Sequence, residues 1–121
     1  MGKFLVKKTP TGIKFDLKAS NGEIIGTSEV FTKKSSCLAS IASVKKNAPI
    51  AAIEDQTVDG FKKEKNPKFV IYTDKSGHPR FKLQAKNGQN ILACGEPFSD
   101  IAAVKKSIKS VIKNIDSPIT E

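Results

Sequence analysis

The chain has 121 residues, 38% of them apolar, and a formal net charge of +9. Those values exclude wholesale disorder, restrict the chain to one domain or two halves sharing a core, and permit a polyanion as partner. The opening residues lack the apolar core of a signal peptide, no apolar run reaches membrane-spanning length, and two cysteines make no disulfide framework; a soluble cytoplasmic protein is expected.

Phe4-Leu5-Val6 opens a first strand, closed by the turn Thr9-Pro10-Thr11-Gly12. Ile13 to Ala19 then alternates apolar and polar residues, the period-two signature of a strand with one wet face. Asn21-Gly22 signals a type I′ hairpin turn, and Ile24 to Ser28 completes a three-strand meander. The period then lengthens. Thr32 stands where a helix N-cap is expected, Cys37, Ile41 and Val44 form an apolar stripe, and Pro49 ends the helical region. Ile50 to Thr57 predicts a short closing strand, followed by the polar connector Asp59 to Pro67.

The second half repeats the first. Lys3-Phe4 recurs as Lys68-Phe69, Phe15-x-Leu17-x-Ala19 as Phe81-x-Leu83-x-Ala85, Asn21-Gly22 as Asn87-Gly88, and Phe31 as Phe98. Ser99 takes the N-cap position of Thr32, and Ile101, Val104, Ile108, Val111 and Ile115 mark the second helix, with Lys105, Lys106, Lys109 and Lys113 off that stripe. Pro118 ends it, and Ile119-Thr120-Glu121 is a second closing strand. The chain therefore divides into a first repeat, 1–58, and a connector with second repeat, 59–121, forming one pseudo-symmetric unit. Three strands with one helix leave a bare edge; if each closing strand added to the other repeat's sheet, both edges would be covered. One extra residue in Ala93-Cys94-Gly95 predicts a β-bulge there.

The run Phe15-x-Leu17-Lys18-Ala19-x-Asn21-Gly22-Glu23-x-Ile25-x-x-Ser28-Glu29-x-Phe31, followed by Ile41-Ala42-Ser43-Val44-Lys45-x-Asn47, closely resembles the YegP-like family, built on the domain of unknown function numbered 1508. The resemblance covers nearly the whole chain. It implies a β-β-β-α-β unit used twice, as tandem repeats or as two subunits, in a single antiparallel sheet with the C-terminal strands swapped between units. It supplies architecture and no catalytic residue.

No constellation of nucleophile, base and orienting group emerges. His78, the lone histidine, falls in a surface turn; Glu54-Asp55 reads as a solvated pair pointing to opposite strand faces; Cys37 and Cys94 read as buried free thiols. The paired Phe15/Phe81, Leu17/Leu83 and Phe31/Phe98 positions read as core, Asn21 and Asn47 as turn and helix-end residues, and Tyr72 as an exposed aromatic.

The expected fold is thus α+β: two β-β-β-α-β repeats forming one antiparallel sheet, two helices on one face, and closing strands exchanged between repeats. The expected function is a non-enzymatic interaction or accessory module of unknown partner, without cofactor or metal. The alternative is weak, sequence-independent binding of nucleic acid or another polyanion through the wet sheet face, where Lys14, Lys18, Arg80 and Lys82 are the candidate residues. An acidic protein is the other partner class considered, and a membrane is not. A monomer with an internal pseudo-two-fold is expected, with a homodimer as alternative. Arg80 is the only arginine among 21 cations, which counts against sequence-specific readout.

Overall fold

The computed structural model describes residues 2–121. Strands β1 (Lys3–Thr9), β2 (Gly12–Lys18) and β3 (Ile24–Thr27) form the first meander, followed by α1 (Lys34–Asn47), a 3-10 turn at Ala48–Ile50 and β4 (Ala52–Asp55). The second half repeats this as β5 (Lys68–Thr73), β6 (Pro79–Gln84), β7 (Asn90–Ala93), α2 (Ile101–Lys113) and β8 (Ile119–Thr120). All strands join one eight-stranded sheet in the order β4-β5-β6-β7-β3-β2-β1-β8.

Period-two alternation sends Phe4, Phe15, Leu17, Phe69, Phe81 and Leu83 to one face, where each is fully buried. Cys37, Ile41 and Val44 of α1 and Val104, Ile108 and Val111 of α2 complete a single core drawn from both repeats. The duplication is visible in the aromatics: Phe4 and Phe15 meet edge-on at 5.9 Å, and Phe69 and Phe81 do so at 6.2 Å. Each helix lies across the sheet. α1 touches β2 and β7, and α2 touches β6 and β3. Fourteen helical residues span about 21 Å, enough to cross the four strand spacings of about 19 Å between β3 and β4.

The sheet is mixed, which corrects the antiparallel expectation. β4 pairs in parallel with β5, and β8 in parallel with β1. Both closing strands arrive from crossing helices, so no hairpin turn dictates an antiparallel direction. The parallel β4–β5 pair also needs a long return, which residues 56–67 provide.

Three local expectations shift. The helix N-caps are Lys33 and Asp100, one residue beyond Thr32 and Ser99; Asp100 accepts from the Ala103 N–H at 2.8 Å, whereas Lys33 makes no side-chain cap. Among the described residues no residue other than glycine has positive φ, so Asn21-Gly22 is not a type I′ turn. Instead Asn21 Oδ1 accepts from the Glu23 N–H at 2.9 Å and Gly22 alone takes φ 85°, with Asn87 and Gly88 repeating the arrangement. The register breaks occur between Leu17 and Lys18 and between Leu83 and Gln84, leaving Ile25 and Ile91 as the extra residues. The bulge is thus common to both repeats, and the inserted Gly95 lies in the loop after β7.

Ile13 and Phe31 exchange two backbone hydrogen bonds of 2.8 and 2.7 Å, pinning the approach to α1 against the start of β2. Gly12 permits this: a Cβ there would stand 2.2 Å from the Phe31 carbonyl oxygen. Gly12→Ala is therefore expected to lower stability by about 1–3 kcal/mol, the usual range for forced displacement. The urea midpoint measures it, and an unchanged midpoint would show that the bridge is dispensable.

Candidate functional site

The helix-free face of the sheet carries the residues singled out by the sequence. One row of neighbours runs across it: Glu54, Val70, Lys82, Ala93, Thr27, Asp16 and Leu5. Lys14 and Lys18 share this face with Asp16 on β2, and Arg80 shares it with Lys82 on β6. Two strands lie between β2 and β6, a separation of three spacings or about 14 Å. The four cations therefore form two separated pairs.

Most of them are already engaged. The Asp16 side chain is only 2% exposed, with Lys7 Nζ 2.6 Å from one oxygen and Lys14 Nζ 3.4 Å from the other. Thr27 Oγ1 donates to the same carboxylate at 2.6 Å. Burial alone would raise the carboxyl's pKa, but the hydrogen bonds from Lys7 and Thr27 and the charges of Lys14 and Lys7 outweigh it, and the net shift is downward. In the second repeat Lys82 replaces Asp16, and its Nζ lies 5.2 Å from the centre of the Tyr72 ring. Tyr72 is half-buried rather than exposed, and burial pushes its hydroxyl pKa upward. Arg80 Nε donates to Asp74 at 2.7 Å, which lowers the Asp74 pKa and raises that of Arg80. Asp74 also accepts from the Ser76 and His78 N–H groups, shaping the turn that exposes His78. Among the described residues, Lys18 has neither an ion-pair nor a ring partner.

Glu54 overturns the reading of a solvated acid pair. Residues 56–67 return across the helix-free face and enclose its side chain, which is 0% exposed. Its carboxylate accepts from Gln56 Nε2 at 2.7 Å, the Glu64 N–H at 2.8 Å and Lys68 Nζ at 2.9 Å. Burial opposes its charge, yet these donors and the Lys68 charge bring its pKa down to about 2. Strand alternation placed Glu54 and Asp55 on opposite faces correctly; it could not foresee the connector covering one of them. Asp55 faces the helices, with Lys105 Nζ 4.0 Å away.

A broad groove of about 1040 Å³ runs between the β2–β3 turn, the loop after β7 and α2. Lys7, Lys14, Asp16, Glu23, Phe98 and Lys106 are among its walls. Cys37 and Cys94 are free and buried, and burial raises the Cys37 thiol pKa. Among the described residues, no three His, Cys, Asp or Glu side chains form a cluster able to hold a metal, and no helix is long and apolar enough to cross a membrane.

The model of the domain of unknown function DUF1508 matches residues 12–55 and 74–121. The chain belongs to this family. A UPF0339 protein YegP from Yersinia pestis is 35% identical over 115 residues, covering 94% of this chain and 88% of that protein. A relative of about half the length, a UPF0339 protein of Treponema denticola, is 47% identical over 53 residues, 43% of this chain and 91% of its own. The solution NMR structure of a UPF0339 protein from Shewanella oneidensis superposes with a TM-score of 0.78 at 32% identity, covering 98% of this chain and 89% of that one. The family resemblance read from the sequence is therefore shown, and the DUF1508 matches fall once in each repeat.

Glu54 has a measurable consequence. Its carboxylate ionises at about 2 when folded against an ordinary 4.5, so folding favours the deprotonated form. The stability it contributes is complete above about pH 5 and is lost as pH falls toward 2, a change of about 3 kcal/mol. Asp16 adds a loss of the same sign. Glu54→Gln is expected to lower stability at neutral pH by about 3–5 kcal/mol, because Lys68 loses its partner, and to flatten the acid limb. Urea titrations at neutral and acid pH test both; an acid limb as steep as in the parent chain would remove Glu54 from this role.

Proposed function

We propose that the protein is a non-enzymatic binding module that meets a macromolecular partner on open surface. The observation carrying this reading is the state of its ionisable groups. Asp16, Glu54 and Asp74 are each committed to cations and donors of the same chain. A general acid or base must instead be free to exchange a proton with substrate. The names of the relatives carry no enzymatic term, which points the same way. A cytoplasmic setting fits the free thiols of Cys37 and Cys94.

The closing strands are read as exchanged between the repeats. The parallel pairing of β4 with β5 and of β8 with β1 supports that, as does a relative at single-repeat length. It makes the chain self-sufficient as a monomer, the covalent form of a two-fold dimer.

The second reading is polyanion binding through Lys14, Lys18, Arg80 and Lys82. Their common helix-free face favours it, while the partners of Lys14, Arg80 and Lys82 reduce the charge free to act. The test pairs immobilised intact chain with a Lys18→Gln/Lys82→Gln variant, which leaves the acid-bound cations in place. The module reading expects saturable capture of one macromolecule, equal for both forms. Capture of nucleic acid lost in the variant would move the site to the sheet face, and turnover of a small molecule without any saturable partner would end the module reading.

A further inference from the structure

The two helices occupy equivalent places but present different surfaces. Along α1 exposed lysine stands only at the two ends, Lys34 and Lys46, with Ser35, Leu38, Ala39 and Ala42 exposed between them; along α2 the exposed residues are Ala102, Lys105, Lys106, Lys109 and Lys113. Neither helix contains an acidic residue. Duplication delivered two copies of one helix, and only the second carries a lysine ridge. Lys105, Lys109 and Lys113 follow one another at four-residue steps, giving a line of about 12 Å. Lys106 stands beside it on the rim of the groove. Like charges at this spacing weaken a helix, so its stability rests on the buried Val104, Ile108 and Val111.

Three of the four ridge lysines are also uncompensated. The nearest acid is Asp55, 4.0 Å from Lys105, and the Asp100 carboxylate accepts from the Ala103 N–H at the helix start. Among the described residues, Lys106, Lys109 and Lys113 have no ion-pair partner. No aromatic side chain lies on the exposed stripe, so unpaired bases have nothing to stack on. A charged, aromatic-free ridge suits regularly spaced phosphates.

We propose that the exposed ridge of α2, Lys105, Lys106, Lys109 and Lys113, docks on the phosphate backbone of duplex nucleic acid without selecting bases. This rests on the binding-module reading and gives it a site and a partner. A duplex carries one charge per about 1.7 Å, so about seven phosphates lie within the length of the ridge. Four neutralised phosphates predict a slope of about −3.6 for log affinity against log salt, or about a hundredfold loss between about 50 and about 200 mM salt.

Fluorescence anisotropy with a mixed-sequence DNA duplex of about 25 base pairs is the test, beside a folded control of similar pI. The intact chain is expected to show that slope and to exceed the control. Lys105→Gln/Lys106→Gln/Lys109→Gln/Lys113→Gln, which keeps helix-forming residues, is expected to bring the slope near zero with its urea midpoint retained. Arg at all four positions is expected to restore binding, and Lys18→Gln/Lys82→Gln to leave it unchanged. Loss in the sheet-face variant with the ridge variant unaffected would overturn the assignment, as would tighter binding to single strands or to polyglutamate. No duplex binding above the control, with another macromolecule still captured, would overturn the ridge and spare the module reading; capture of nothing would end both.

Discussion

One registered residue pair, Thr27 opposite Ala93, joins the two halves of the sheet. By comparison, β1 and β2 share seven. The seam cannot hold by ladder bonds alone, and the rest of the architecture compensates for it. Both helices lie across it, each resting on strands of both repeats, so the core that buries α1 and α2 also clamps the half-sheets together. The closing strands tie the outer edges from the opposite direction, since β4 comes from the first repeat and β8 from the second. Thr27 itself is anchored through its hydroxyl to Asp16. Side-chain burial, which is non-directional, thus carries what backbone pairing carries elsewhere.

The two faces treat charge differently. On the helix-free face the acids are withdrawn from water and bind their cations tightly: Asp16 holds Lys7 and Lys14, and Glu54 holds Lys68. Such pairs fix geometry: Glu54 and Lys68 cancel, and Asp16 offsets one of its two lysines. On the helical face acids are absent from both helices, and lysines extend into solvent where their charge reaches about 8 Å at physiological salt. Counting cations per face would rank the two alike. Their pairing does not.

Much of the fold was legible because two periods dominate the sequence. Period two in Ile13 to Ala19 and Phe81 to Ala85, and the helical period from Ile101 to Ile115, identify the elements and the faces they bury. The repeat then predicts a shared core. What escaped depended on contacts between distant segments. The burial of Glu54 requires the path of residues 56–67, the parallel edges require the helices to cross the sheet, and the bulge at Ile25 requires the register of β2 against β3. Lys14 and Arg80 were placed on the right face, but their partners follow from the register and turn that bring in Asp16 and Asp74. The lysines of α2 stood in plain view as the residues off the apolar stripe; only comparison with α1 gives them meaning.

The Phe4 N–H donates to the Pro118 carbonyl at 2.9 Å, and β1 neighbours β8, which is synthesised only after the six strands between them. Until β8 is made, the nascent first meander therefore displays an open edge. Pairing between distant segments is slow because loop closure precedes any reward, and exposed edges recruit other chains. For this protein the interval between emergence of the first and the eighth strand is a window of vulnerability, and the pace of synthesis sets how long it stays open.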